Sequence, residues 1–195
     1  MPQRQSLRNL HYALLTQDTI GSILYGKPAP LVGAISAKVS PASNQEKLWA
    51  DDGVFDIANS LGDISVEIEL ATLPIRAQAI LLGHQYANGV MTMSDLDEPP
   101  YLAIGFMSQP QPGRFRFVWL YKGKFALVQD EYATATDSAA WRQAKLSGTF
   151  VKREHDGQWQ VIADSGDEGF TGAEDWFKAV YPLAPALPDP EEENP

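Results

Sequence analysis

A chain of 195 residues is long enough for one domain with a proper core and short for two. Hydrophobic residues at 44% and charged residues at 21% exclude wholesale disorder, and the absence of Cys excludes a disulfide framework, a thiolate metal site and a Cys nucleophile. A formal net charge of -10 argues against a protein that grips phosphates through counterion release.

Residues 1–10 are polar and basic with no apolar h-region, and no stretch has the apolar length that spans a bilayer, so neither a signal peptide nor membrane insertion is expected. Strands are expected over residues 7–15, 31–40, 46–50 and 54–59, with Asp52-Gly53 supplying the positive φ angles of a tight hairpin turn. The cleanest alternation covers residues 63–70: Ile64, Val66, Ile68 and Leu70 take one face, and Asp63, Ser65, Glu67 and Glu69 the other. Pro74 then opens a short helix in which Ile75, Ala79 and Leu82 share a face, and Gly83 ends it. Further strands are expected over 89–93 and 101–107, the latter continuously apolar and hence deep, followed by a loop at 109–113.

Residues 114–121 alternate again, with Phe115, Phe117, Trp119 and Tyr121 on one face. The segment 131–140 is polar and weakly patterned, a connection or a short helix. Strands at 145–152 and 159–163 flank Asp156-Gly157, a second hairpin turn by its chemistry. Thr171-Gly172-Ala173-Glu174 reads as a capping box opening a helix with an apolar stripe of Trp176, Phe177 and Val180, stopped by Pro182. Past Tyr181 come five prolines and four acids, so 182–195 reads as a disordered acidic tail, which leaves about -6 on residues 1–181. The expected fold is mainly β with minor α, an antiparallel sandwich or barrel-like sheet flanked by one or two short helices, in one domain over 1–181 with an N-terminal arm at 1–9.

Chemistry is sparse in this sequence. It holds neither GxGxxG after a strand nor GxxxxGK[ST], so no nucleotide cofactor is expected. His11, His84 and His155 lack zinc-motif spacing and read as structural or solvated. Asp51, Asp52 and Asp56, or Asp95, Asp97 and Glu98, have oxygen ligands for calcium but not the EF-hand spacing; they read as turn and loop acids, and no metal is expected. Glu67 and Glu69, two apart on one strand, have no reason for unequal pKa values and read as an acidic sheet face rather than a glycosidase pair. Exposed aromatics on a sandwich can stack sugars, so Trp49, Trp119, Trp141, Trp159 and Trp176 keep a carbohydrate-binding module open as an alternative.

Four strings in order, Leu7-Arg8-Asn9-Leu10-His11-Tyr12-Ala13, Ala50-Asp51-Asp52-Gly53-Val54-Phe55, Glu98-Pro99-Pro100-Tyr101 and Trp176-Phe177-Lys178-Ala179-Val180-Tyr181, resemble the major tail protein family of long-tailed bacteriophages. Residues 121–145 and the acidic end depart from it. The resemblance implies a β-sandwich with a flanking helix, related to type VI secretion tubes, forming hexameric rings that stack into a hollow tube with no catalytic residue. It implies self-association, contacts with other tail proteins, assembly in the cytoplasm of a host bacterium, and residence in the virion tail. Another tail or secretion-tube component of this fold is the neighbouring alternative. Six subunits lending four strands each at about 4.8 Å spacing would enclose a circumference of roughly 115 Å, wide enough for duplex DNA to pass unbound. Glu67 and Glu69 are then candidates for an acidic lumen face, and the hairpin carrying Trp49, Asp51, Asp52, Gly53 and Phe55 is the candidate contact between rings.

Overall fold

The structure, a computed structural model, describes residues 6–50, 53–128 and 143–181. In chain order the elements are β1 (Ser6–Thr19), β2 (Ser22–Tyr25), β3 (Ala29–Pro30), β4 (Ala34–Ala50), β5 (Gly53–Leu70), α1 (Ile75–Leu82), β6 (Gln85–Ala87), β7 (Val90–Thr92), β8 (Leu102–Gln111), β9 (Arg114–Phe125), β10 (Ala144–Val151) and β11 (Gln160–Asp164). A nine-stranded sheet runs β2-β1-β8-β9-β10-β5-β4, with β3 beside β1 and β11 beside β9, and β6-β7 form a separate hairpin. Every pairing is antiparallel. The expected mainly β, antiparallel class with minor helix is the observed one.

The sheet curls. β1 and β4, at opposite sides of the strand order, come within 8 Å of each other. The segment after β3 ties the two ends together: the Leu31 amide donates to the Leu10 carbonyl, and the Ala71 amide to the Gly33 carbonyl. Inside the curl, Leu10, Ile64, Val66, Ile68, Leu70, Ile104, Leu120 and Phe150 make the main core, into which α1 packs Leu81 and Leu82. Removing this much apolar surface from water is the principal stabilising term of the fold.

The middle of the sheet is buried on both faces. Along β9, Val118 and Leu120 face the main core, while Phe117, Trp119 and Tyr121 face a second core built with Ala13, Ala103, Trp176 and Val180. β8 is correspondingly buried at every position from Leu102 to Phe106, as its unbroken apolar run predicts.

The structure corrects several local expectations. No helix forms over 171–180; residues 173–178 make turns, with the Lys178 amide donating to the Asp175 carbonyl at 2.9 Å. The Trp176 carbonyl, which a helix would offer to the Val180 amide, instead accepts from the buried Trp119 indole at 3.0 Å. Trp176 and Val180 nonetheless dock on the sheet as the apolar stripe requires.

Asp156-Gly157 is likewise not a hairpin turn, although Gly157 has φ +71°. β10 and β11 pair with the same edge of β9, one after the other, so residues 152–159 bulge out of what is otherwise one strand line. Strand β8 continues through the loop expected at 109–113 and turns at Pro112-Gly113, where Gln111 pairs with Arg114. Ser6, Leu7 and Arg8, expected as part of an N-terminal arm, instead pair with β8, and residues 1–5 lie outside the described residues. Helix α1 ends at Gly83 in the left-handed conformation, yet Ile75 is exposed and the buried residues are Gln78, Ala79, Leu81 and Leu82. Gly83 has a second reason to be glycine: a Cβ there would lie 2.1 Å from the Glu98 carbonyl oxygen.

Candidate functional site

The β4–β5 hairpin is far longer than the turn that marks it in the sequence. Its ladder runs from Ala34↔Leu70 to Ala50↔Gly53, whereas β10 supports β5 only between Ile64 and Leu70. From Ser43↔Leu61 to Ala50↔Gly53 the two strands therefore run on, beyond the stretch of β5 that β10 supports, as a ribbon of eight paired positions, about 27 Å at the usual rise per residue. Pro41 does not stop β4 because β4 is an edge strand and the register shifts between Pro41 and Ser43. A further shift between Leu48 and Trp49 places Phe55 at a bulge.

Ile57 and Leu61, of equal parity and so on one face of the ribbon, are 47% and 44% exposed. Of the ring-contact candidates, Trp49, Gly53 and Phe55 thus lie at the far end of a projecting arm, while Asp51 and Asp52 fall outside the described residues. Ile57 and Leu61 were not singled out by sequence reasoning. The signal was present in the spacing of Ile57 and Leu61, masked by polar Asn59 and Ser60 between them.

Glu67 and Glu69 lie on the outer face of β5, opposite the buried Val66 and Ile68, as the alternation predicts. The face is not purely acidic. Lys38 on β4 sits 3.9 Å from Glu67, and Lys145 on β10 sits 3.6 Å from Glu69, which also accepts from the Ser36 hydroxyl at 2.8 Å. These are exposed pairs of small energetic weight, but they weaken the field the carboxylates would project.

A denser charge cluster occupies the 152–159 bulge. The Lys122 ammonium contacts Asp18 at 2.7 Å and Glu154 at 3.1 Å, and the Asp18 carboxylate also accepts from the amides of Glu154 and His155. Burial alone would raise the Asp18 pKa; the Glu154 amide, Lys122 and the His155 amide outweigh it and hold the carboxyl below its ordinary value. Arg153, 2% exposed, forms an ion pair with Asp156 and stacks over the Tyr121 ring at 3.6 Å. Tyr25 donates its hydroxyl to the Tyr121 carbonyl at 3.0 Å. Burial pushes the Tyr121 phenol up to about 12 and raises that of Tyr25 further. This cluster fixes the bulge to β1, β2 and β9.

The histidines stand apart in role. His11 stacks on Phe177 at 4.7 Å, and His155 contacts the Thr19 carbonyl. His84 Nδ1 lies 2.7 Å from Asp97, whose pKa is lowered first by that bond and next by the Ser94 amide. An ionised carboxylate only accepts, so Nδ1 carries the proton of this bond. Asp97, a candidate calcium ligand by sequence, is thus engaged by His84 and Ser94. Among the described residues no three His, Asp or Glu side chains come together as a metal site, and no helix is long and apolar enough to cross a membrane.

Of the tryptophans considered for sugar stacking, Trp119 and Trp176 are 0% and 2% exposed and cannot offer a platform. Trp159 packs partly buried against the main core, and Trp141 lies outside the described residues. No protein-family model matches this chain, and no curated protein was found to match it.

Proposed function

We propose that the chain is a structural subunit of a phage tail tube, polymerising as stacked rings around a conduit for DNA. One observation carries this reading: a two-stranded arm of about 27 Å extends beyond the part of β5 that β10 supports and holds Leu61 44% exposed. A large apolar side chain exposed on a projecting hairpin is stabilised by a covering partner, and a head-to-tail contact that does not close on itself grows into a filament. The order of the four strings resembling the major tail protein family supports the same reading. The outward Glu67 and Glu69 suit a wall that DNA passes without adhering, and the -10 net charge acts in the same sense.

Leu61→Glu tests the proposal. Leu61 is 44% exposed, so the substitution should alter folding stability by no more than about 0.5 kcal/mol. It should abolish large assemblies in sedimentation velocity while far-UV circular dichroism and the unfolding midpoint stay as in the wild type. Equal sedimentation of the two proteins would remove the arm from the assembly contact.

A further inference from the structure

A cleft of about 460 Å³ opens between β2 with its following turn and the end of the C-terminal segment. Its walls are Tyr25, Pro28, Ala179, Val180 and Tyr181, with Lys27 at the rim and the guanidinium of Arg153 below. Arg153 is already committed to Asp156 and Tyr121, so it is structural here. Lys27 has no ion pair among the described residues, in a chain whose charge is -10. Lys178, also lining the cleft, pairs with Asp175 on the open surface. The site is thus an apolar slot with two aromatic rings and a basic edge.

We infer that this cleft is the docking groove for residues 182–195 of the same chain. Tyr181 is itself part of the wall, so the next residue leaves from the groove and no long loop need close. The chain then runs Pro182-Leu183-Ala184-Pro185-Ala186-Leu187-Pro188 and on into Asp189-Pro190-Glu191-Glu192-Glu193. With three residues per turn in polyproline II, Pro182, Pro185 and Pro188 fall on one face, the spacing that aromatic-lined grooves recognise. A proline-rich segment is largely pre-ordered, which lowers the entropic cost of docking. Tethering holds the segment at an effective concentration on the order of mM, so a weak contact suffices.

The charges fall in register with the geometry. At about 3.1 Å per residue, Asp189 and the three glutamates lie roughly 25 to 37 Å of contour beyond Tyr181, enough to fold back on Lys27 and Lys178. The apolar half covers the slot, and the acidic half meets the basic edge.

The sequence has no Cys, so two introduced cysteines carry spin labels without background. Ile20→Cys, at an 86% exposed position in the turn before β2, and Asn194→Cys are labelled in the full chain, diluted with unlabelled wild-type protein. Double electron–electron resonance should give one narrow distance distribution. That distribution should broaden in Leu187→Asp, in Lys27→Glu, and at high salt. A broad distribution in the parent protein overturns the inference, as does one that neither substitution changes. A narrow distribution that vanishes on dilution also overturns it, because the groove would then be filled by a second copy.

Discussion

Asp18 is where the cost of a single atom is most readable. Its carboxylate, 5% exposed, is the common acceptor for a lysine on β9 and for two amides of the 152–159 bulge. Asp18→Asn removes the charge but not the volume, leaving Lys122, among the described residues, with the exposed Glu154 as its one ion-pair partner and the Tyr101 ring at 5.0 Å. The expected loss is about 3 kcal/mol, at the lower end for a broken buried pair because Glu154 remains. The pH dependence has a definite sign. The folded-state pKa of Asp18 is lowered, so its contribution is fully present above the unfolded value of about 3.9 and lost as pH falls through the folded value. Urea titrations should therefore show the wild type losing its advantage over Asp18→Asn only below about pH 4. An advantage that is unchanged by acid would show that the ion pair is not its source.

None of this cluster was legible in the sequence. Asp18 stands 104 positions before Lys122, Arg153 lies further on again, and no local pattern links them. They meet only because β10 and β11 share one edge of β9.

At the scale of elements, strands with one buried face were readable because alternation is a local consequence of the pleat. Ile64 to Leu70 lie as their period predicts, whereas on β9 Phe117, Trp119 and Tyr121 share a face as expected but Val118 and Leu120 between them are buried as well. The turn at Gly83 was readable because a left-handed residue is needed there. The final helix was misread for a tertiary reason. Thr171 and Glu174 have capping-box spacing, but the second core holds Trp176 through its carbonyl, and Pro182 leaves little room for a second helical turn. Two substitutions separate these contributions. Trp119→Phe should cost about 1 to 3 kcal/mol more than Trp176→Phe in chemical denaturation. The first leaves the Trp176 carbonyl unpaired, whereas the second removes an indole N–H that is buried without a partner among the described residues. Equal losses would mean that the Trp119 hydrogen bond does not hold the segment in place.

For the whole molecule, the β-rich class and most strand positions could be read from composition and period, but sheet order could not. Nothing local to residues 114–125 says that β9 will sit between β8 on one edge and both β10 and β11 on the other. The same holds for the arm. Asp52-Gly53 announced a hairpin, yet its length depends on where β10 stops supporting β5, a long-range fact. The acidic face was half legible: the glutamates were visible in the alternation, while their partners Lys38 and Lys145 come from neighbouring strands.

The proposed assembly role rests on the arm, which carries the exposed Leu61 beyond the stretch of β5 that β10 supports. Negative-stain electron microscopy of the purified wild-type chain, across protein concentration and salt, tests that role most directly. Hollow tubes built from six-membered rings are the predicted result. Particles no larger than a single chain under every condition would contradict it.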